Sequence, residues 1–273
     1  MSRLPTLFVP HGGGPCFFME WNPPNTWDRI AAYLRQIPED VGARPKAIVL
    51  ISGHWEEEVV TIQNNAFPPL LYDYYGFPPH TYEIKFPAAG APGLSARIAA
   101  LLGEAGIDWK YDHSRGFDHG VFIPLKVAFP NADVPIVQVS LLASLDAKDH
   151  IRLGLALAPL RDEGVLIIGS GMTYHNMQTM MASMRGGGKP VSPDPGSQRF
   201  DGWLEEVLTR ATPENRIDAL AAWDKAPAAR DAHPREEHLL PLHVAVGAAG
   251  TDPGRKTLTD VVMGAVESAF RFG

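Results

Sequence analysis

Ala47-Ile48-Val49-Leu50-Ile51-Ser52-Gly53-His54 is the stretch on which the fold of this chain turns. Its first five residues are apolar without alternation. A strand with one face in water alternates apolar and polar side chains, so an unbroken run reads as a strand of a parallel sheet covered on both faces. Two other runs share this form. Thr6-Leu7-Phe8-Val9-Pro10 ends at His11, and Val165-Leu166-Ile167-Ile168-Gly169-Ser170-Gly171 is followed shortly by His175. In open α/β sheets the ligand crevice lies beyond the carboxyl ends of the strands. The three histidines fall at that edge, where neutral imidazoles from separate strands can converge and bind a transition metal.

Outward from these runs, helical and strand spacing alternate. Helices are expected over 25–36 (with Asn25 or Thr26 as N-cap), 93–106, 119–129, 147–161, 197–210, 214–223 and 235–248. Further strands are expected at 59–62, near 109–111 and at 135–140, while 256–272 fits helix or strand equally. The alternation predicts a single α/β domain over 1–273, a mostly parallel central sheet with helices on both faces and a metal site at the strand carboxyl ends. Residues 64–92 carry six prolines and several aromatics, a length of loop that usually shapes or covers a site. The breaker-rich stretch 185–196 reads as a mobile surface loop, since no new strand–helix series follows it.

Composition narrows the function. The chain has 273 residues, 45% hydrophobic and 20% charged, with net charge −7, which suits a soluble globule with a substantial core. The acidic balance argues against nucleic acid or an anionic membrane as partner. No apolar run approaches the roughly 20 residues that span a bilayer, and the start lacks a signal-peptide core, so a cytoplasmic address is expected. One cysteine, Cys16, excludes an internal disulfide and a cysteine-rich zinc site; it reads as small apolar filling.

A lone histidine at a strand end is usually structural, but His11-Gly12 and Gly53-His54 repeat one setting, with glycines that let a ligand approach. Further ligands are sought in His233-Pro234-Arg235-Glu236-Glu237-His238, read as the opening of a helix; its residues point about 100° apart, so one of His233, Glu236, Glu237 and His238 reaches the metal. His175 is a fourth ligand or a proton-transfer group, with Asn176 capping the turn beside it. In Arg115-Gly116-Phe117-Asp118-His119-Gly120, Asp118 reads as a helix N-cap that leaves His119 facing the crevice. His80 is a weaker candidate, and His113, His150 and His243 read as surface or packing residues. Gly12-Gly13-Gly14 lacks the Lys-Ser/Thr of a phosphate loop. Met177, Met180, Met181 and Met184 have helical spacing and read as a buried helix face, and Glu56-Glu57-Glu58 as near solvent.

With these segments assembled, the chain resembles the class III extradiol ring-cleavage dioxygenases (the LigB superfamily), in particular the branch of the 4,5-DOPA extradiol dioxygenases. The resemblance rests on Pro10-His11-Gly12, Ile51-Ser52-Gly53-His54-Trp55, Arg115 through Gly120, Gly169-Ser170-Gly171 with His175-Asn176, and His233-Pro234 through Glu237-His238. It implies His11 and His54 as metal ligands, His238 as the third with Glu237 as runner-up, His175 as acid/base and His119 as a substrate-facing group. It also implies Fe(II), with zinc able to replace it in purified protein, and a small aromatic diol and O2 as substrates; a homo-oligomer is left open. The expected reaction is opening of a catechol ring to a muconic semialdehyde-type product, with Tyr72, Tyr74, Tyr75, Phe77 and Tyr82 as ring-stacking walls. An ordinary imidazole titrates near pH 6.5, which suits His175 to accept and return a proton. Gly13-Gly14-Pro15 and the loop Cys16–Trp21 depart from the branch beside the ring pocket, so ring cleavage is implied more strongly than DOPA as substrate. A zinc hydrolase and a metal-containing binding protein on the same scaffold are the competing readings.

Overall fold

The three apolar runs form neighbouring strands at the centre of one eight-stranded sheet. The computed structural model describes residues 3–184 and 192–273. The strands are β1 (Thr6–Pro10), β2 (Ala47–Glu57), β3 (Val60–Gln63), β4 (Trp109–Asp112), β5 (Ile136–Leu142), β6 (Val165–Gly171), β7 (Gly254–Val262) and β8 (Ala265–Phe272), in the order β4-β3-β5-β2-β6-β1-β8-β7. Strands β5, β2, β6 and β1 run parallel, and β8 and β7 close one side antiparallel. The helices are α1 (Asp28–Val41), α2 (Pro92–Glu104), α3 (His119–Ala128), α4 (Ala147–Leu157), α5 (Met177–Met184), α6 (Pro195–Thr209), α7 (Pro213–Ala221), α8 (Ala229–Ala232) and α9 (Leu240–Ala249).

The unbroken apolar runs follow from two cores, one on each face of the sheet. Along β2, Ile48 and Leu50 join the core under α1 and α3, while Val49 and Ile51 join the one under α2, α4 and α9. Helix α9 is buried at every position, because it lies between α4 and the sheet. The register sets Pro10 opposite Gly171 and Ser52 opposite Ser170. The residues that follow therefore stand at one level, His11 just past the end of β1 and Gly53-His54 in the stretch of β2 between its paired segments.

Several expectations are corrected. Helix α1 starts at Asp28 with Trp27 at its N-cap, and neither Asn25 nor Thr26 caps it; Thr26 Oγ1 donates instead to the Pro23 carbonyl. Residues 233–239 are irregular, with a bend at 234–235 and a turn at 237–239, and α9 begins only at Leu240. The ambiguous C-terminus is a β-hairpin. Met263 and Gly264, with φ of 52° and 78°, make its two-residue turn, the positive-φ geometry that matches strand twist. Helix α5 is not a buried face: Met180 is buried, but Met177 and Met181 are each 46% exposed. The Met184 side chain and residues 185–191, most of the breaker-rich loop, lie outside the described residues.

Candidate metal centre

His11 continues the β1 ladder, its N–H donating to the Gly171 carbonyl at 3.1 Å. His54 is set by an irregularity in β2. From Ile51 to Glu56 the strand advances five positions while β5 advances only from Val139 to Leu141, so the segment bulges out of register and turns His54 toward His11. His238 arrives from the turn before α9, packed onto two glycines. A Cβ on Gly53 would lie 3.2 Å from the His238 Cα, and one on Gly171 would strike the His238 carbonyl oxygen. Gly171 therefore accepts no side chain while the His238 backbone stays in place, and at Gly53 a side chain requires the 237–238 backbone to shift slightly.

The three rings meet at their Nε2 atoms. His54 Nε2 lies 3.1 Å from His11 Nε2 and 3.3 Å from His238 Nε2. Ligand nitrogens about 2.0–2.1 Å from one ion stand roughly 3.0–3.4 Å apart at right-angled to tetrahedral geometry, so these spacings suit a shared metal. The partners on the far side of the rings agree. Ser170 Oγ donates to the Gly120 carbonyl and so accepts from His11 Nδ1–H at 3.1 Å. His238 Nδ1–H donates to Glu237 Oε1 at 2.9 Å. Both rings thus present a bare Nε2 to the centre, the second-sphere pattern that orients metal-bound histidines. Burial keeps all three rings neutral: it pulls His54 down to about 4 and His11 and His238 well below the ordinary imidazole value.

Two further imidazoles flank the cluster. The His119 ring centre lies 3.9 Å from that of His54, and its Nδ1–H donates to Asp73 Oδ1 at 2.8 Å. His175 stacks on His238 with 3.5 Å between ring centres and faces Glu237 Oε1 through Nδ1 at 3.3 Å. Glu237 thus joins His175 and His238 from behind and lies outside the His11–His54–His238 group. Burial, the largest single cause, draws the Asp73 and Glu237 pKa values up, but the hydrogen bonds and electrostatic attractions around them (His119 and His54 for Asp73, His175 and Arg235 for Glu237) together outweigh it and leave both carboxyls below the ordinary range.

The other candidates separate cleanly. His233 is buried beside the Thr173 carbonyl, and Glu236 pairs with Arg230, so neither reaches the cluster. Asp118 occupies the N-cap position of α3, but its carboxylate turns inward to accept from Ser52, Gln138 and Arg115. The helix start is capped instead by Asp73, which accepts the His119 backbone N–H at 2.9 Å. Sequence reasoning missed Asp73; its signal is an acid between two tyrosines, Tyr72-Asp73-Tyr74, in the long loop. That loop is pinned by paired backbone bonds between Leu71 and Phe117 and between Phe117 and Pro69, each 2.8 Å. Tyr74 packs 5.9 Å from His119, ring centre to ring centre, whereas Tyr75 is 91% exposed. His80 is exposed and bonded to the Phe18 carbonyl, and Cys16 is a buried free thiol whose pKa burial pushes up.

Imidazoles converging beyond the carboxyl ends of a parallel sheet define an α/β protein with a candidate metal centre. Comparison with known proteins narrows this class. The family model described as the catalytic LigB subunit of aromatic ring-opening dioxygenase matches residues 5–270. Dioxygenase tasH of Hapsidospora irregularis is 40% identical, over 97% of this chain and 84% of its own. The 4,5-DOPA dioxygenase extradiol of Beta vulgaris is 39% identical, over 90% of this chain and 87% of its own. The crystal structure of the uncharacterized protein JW3007 from Escherichia coli K12 superposes with a TM-score of 0.80 at 29% identity, covering 99% of this chain and all of that one. The chain belongs to the LigB family and is an extradiol ring-cleavage dioxygenase.

Proposed function

We propose that the protein is a non-haem Fe(II) enzyme that opens a catechol ring with O2 to a muconic semialdehyde-type product, with His11, His54 and His238 as ligands. The observation that carries this reading is the meeting of three neutral Nε2 atoms at 3.1 and 3.3 Å, two of them fixed bare by partners behind the ring. Bound Fe(II) supplies the redox partner for O2 and acidifies a catechol hydroxyl. Both atoms of O2 enter the product, so no external reductant is needed.

The remaining roles follow from which ring nitrogen is engaged. His175 holds its Nδ1 proton toward Glu237, leaving Nε2 free to take a proton from a catechol hydroxyl and return it later. His119 holds its Nδ1 proton toward Asp73, so its Nε2 faces a substrate oxygen. Tyr74, buried against His119, Phe77 and Tyr82, forms a wall for the ring. The substrates are a small aromatic diol and O2, and among the described residues no helix is long and apolar enough to cross a membrane.

Three imidazoles also suit zinc, and zinc would bind them more tightly than Fe(II). Anaerobic loading with Fe(II), followed by catechols, hydroquinones and aminophenols under oxygen, separates the readings. Oxygen uptake with a coloured ring-opened product is expected for catechols. Turnover that needs no oxygen would support the hydrolase, and metal binding without any turnover would support a binding protein.

A further inference from the structure

Beyond the metal cluster, His175 and the glycines after His11 also border a cavity of about 400 Å³. Among the described residues six methionines line it, of eight in the chain, with Trp21, Trp27 and Phe77. Among the described residues no Lys, Arg, Asp or Glu lines it. Its rim is apolar too: Tyr75, Met177 and Met181 are three of the eight large hydrophobic side chains left exposed among the described residues. Met177 and Met181 are therefore explained by this cavity rather than by helix packing.

We propose that this cavity receives an uncharged, apolar substituent of the substrate, so that the enzyme takes alkyl- or aryl-substituted catechols in preference to catechol amino acids or acids. The proposal rests on the ring-opening reading and names its substrate class. Size supports it. An apolar cavity of roughly 150 Å³ accepts a benzene ring, so 400 Å³ holds considerably more than a bare catechol. Chemistry supports it as well. DOPA carries an ammonium and a carboxylate on its side chain, and burying either without a partner is costly. Thioether and indole surfaces are soft and apolar, and methionine adapts its shape to irregular ligands. Continuity with His175 places the substituent beside the group that handles the ring hydroxyl.

Two measurements on the iron-loaded protein test this. Anaerobic calorimetry with 4-methyl- to 4-butylphenol, which bind without being opened, should show affinity rising roughly fourfold per methylene. Oxygen uptake should give 4-alkylcatechols a kcat/KM roughly tenfold or more above DOPA and 3,4-dihydroxyphenylacetate. M181R, a change on the exposed rim, should flatten the alkyl series and favour the carboxylate. A flat phenol series, or a preference for DOPA or the carboxylate in the parent protein, overturns the proposal. A rising phenol series with no uptake on any catechol upholds the apolar ligand class and overturns the ring-opening reading instead.

Discussion

His175 and His238 stack face to face yet have different roles in this account, and the difference lies in their distal nitrogens. His238 Nε2 points at His54, 3.3 Å away, whereas among these rings His175 contacts only the face of His238. Replacement should therefore separate them. H175A should retain full metal content and lose about 10²–10⁴-fold in kcat; H54A should lose the metal itself, as measured by metal analysis after gel filtration. Metal loss in H175A would make that residue a ligand. Asp73 acts one step further out by holding the Nδ1 and backbone N–H of His119. D73A should retain metal and lose about 10- to 100-fold in kcat, with little change in KM. D73N, which still offers an acceptor oxygen, should recover part of the loss; a D73A protein with parental kcat would remove the assigned role.

At the scale of elements, Glu267 on β8 supports the loop that delivers His175. It accepts from the Thr173 N–H at 2.9 Å, the Thr173 hydroxyl at 3.1 Å and the Tyr174 N–H at 3.4 Å, while its Oε1 has no hydrogen-bond partner among the described residues. Burial pushes its pKa up to about 8 from an ordinary 4.5. Because the folded value is the higher one, the folded state holds this proton more tightly. Its contribution to stability is complete below about 4.5 and is lost as pH rises through about 8. E267Q removes that dependence. Denaturant titrations should show the variant gaining on the parent at up to about 1.4 kcal/mol per pH unit across this window. A constant difference between the two proteins from pH 5 to 9 would contradict the buried, protonated state.

The same scale shows what sequence could and could not deliver. The strands β1, β2 and β6 were legible because burial on both faces leaves an unbroken apolar run, a purely local signature. The carboxyl-edge position of His11 and His54 followed from strand direction alone. The start of α9 was misplaced by several residues, because Glu236 through His238 have helical composition while Gly53 and Gly171 dictate the path of that backbone from another part of the chain. Asp73 was invisible for a related reason. Its meaning depends on the pairing of Leu71 with Phe117, a contact between segments that carry no mutual sequence signal. Asp118 shows the converse: a sound local rule for helix caps gave way to three buried donors that need a carboxylate.

For the whole molecule, the parallel sheet acts as a jig. Register fixes Pro10, Ser52, Ser170 and Gly171 at one level, so three imidazoles from distant parts of the chain meet with neither a disulfide nor a cysteine cluster to hold them. The claim at this scale is that one iron in that position makes the fold an oxygen-dependent ring-opening enzyme. Its most direct test is oxygen uptake on an alkylcatechol during anaerobic titration of metal-free protein with Fe(II), with aliquots assayed in air. The account predicts activity that rises linearly and stops at one iron per chain, with one O2 consumed for each catechol opened. Activity indifferent to iron, or catechol consumed without oxygen by the zinc-loaded protein, would contradict it.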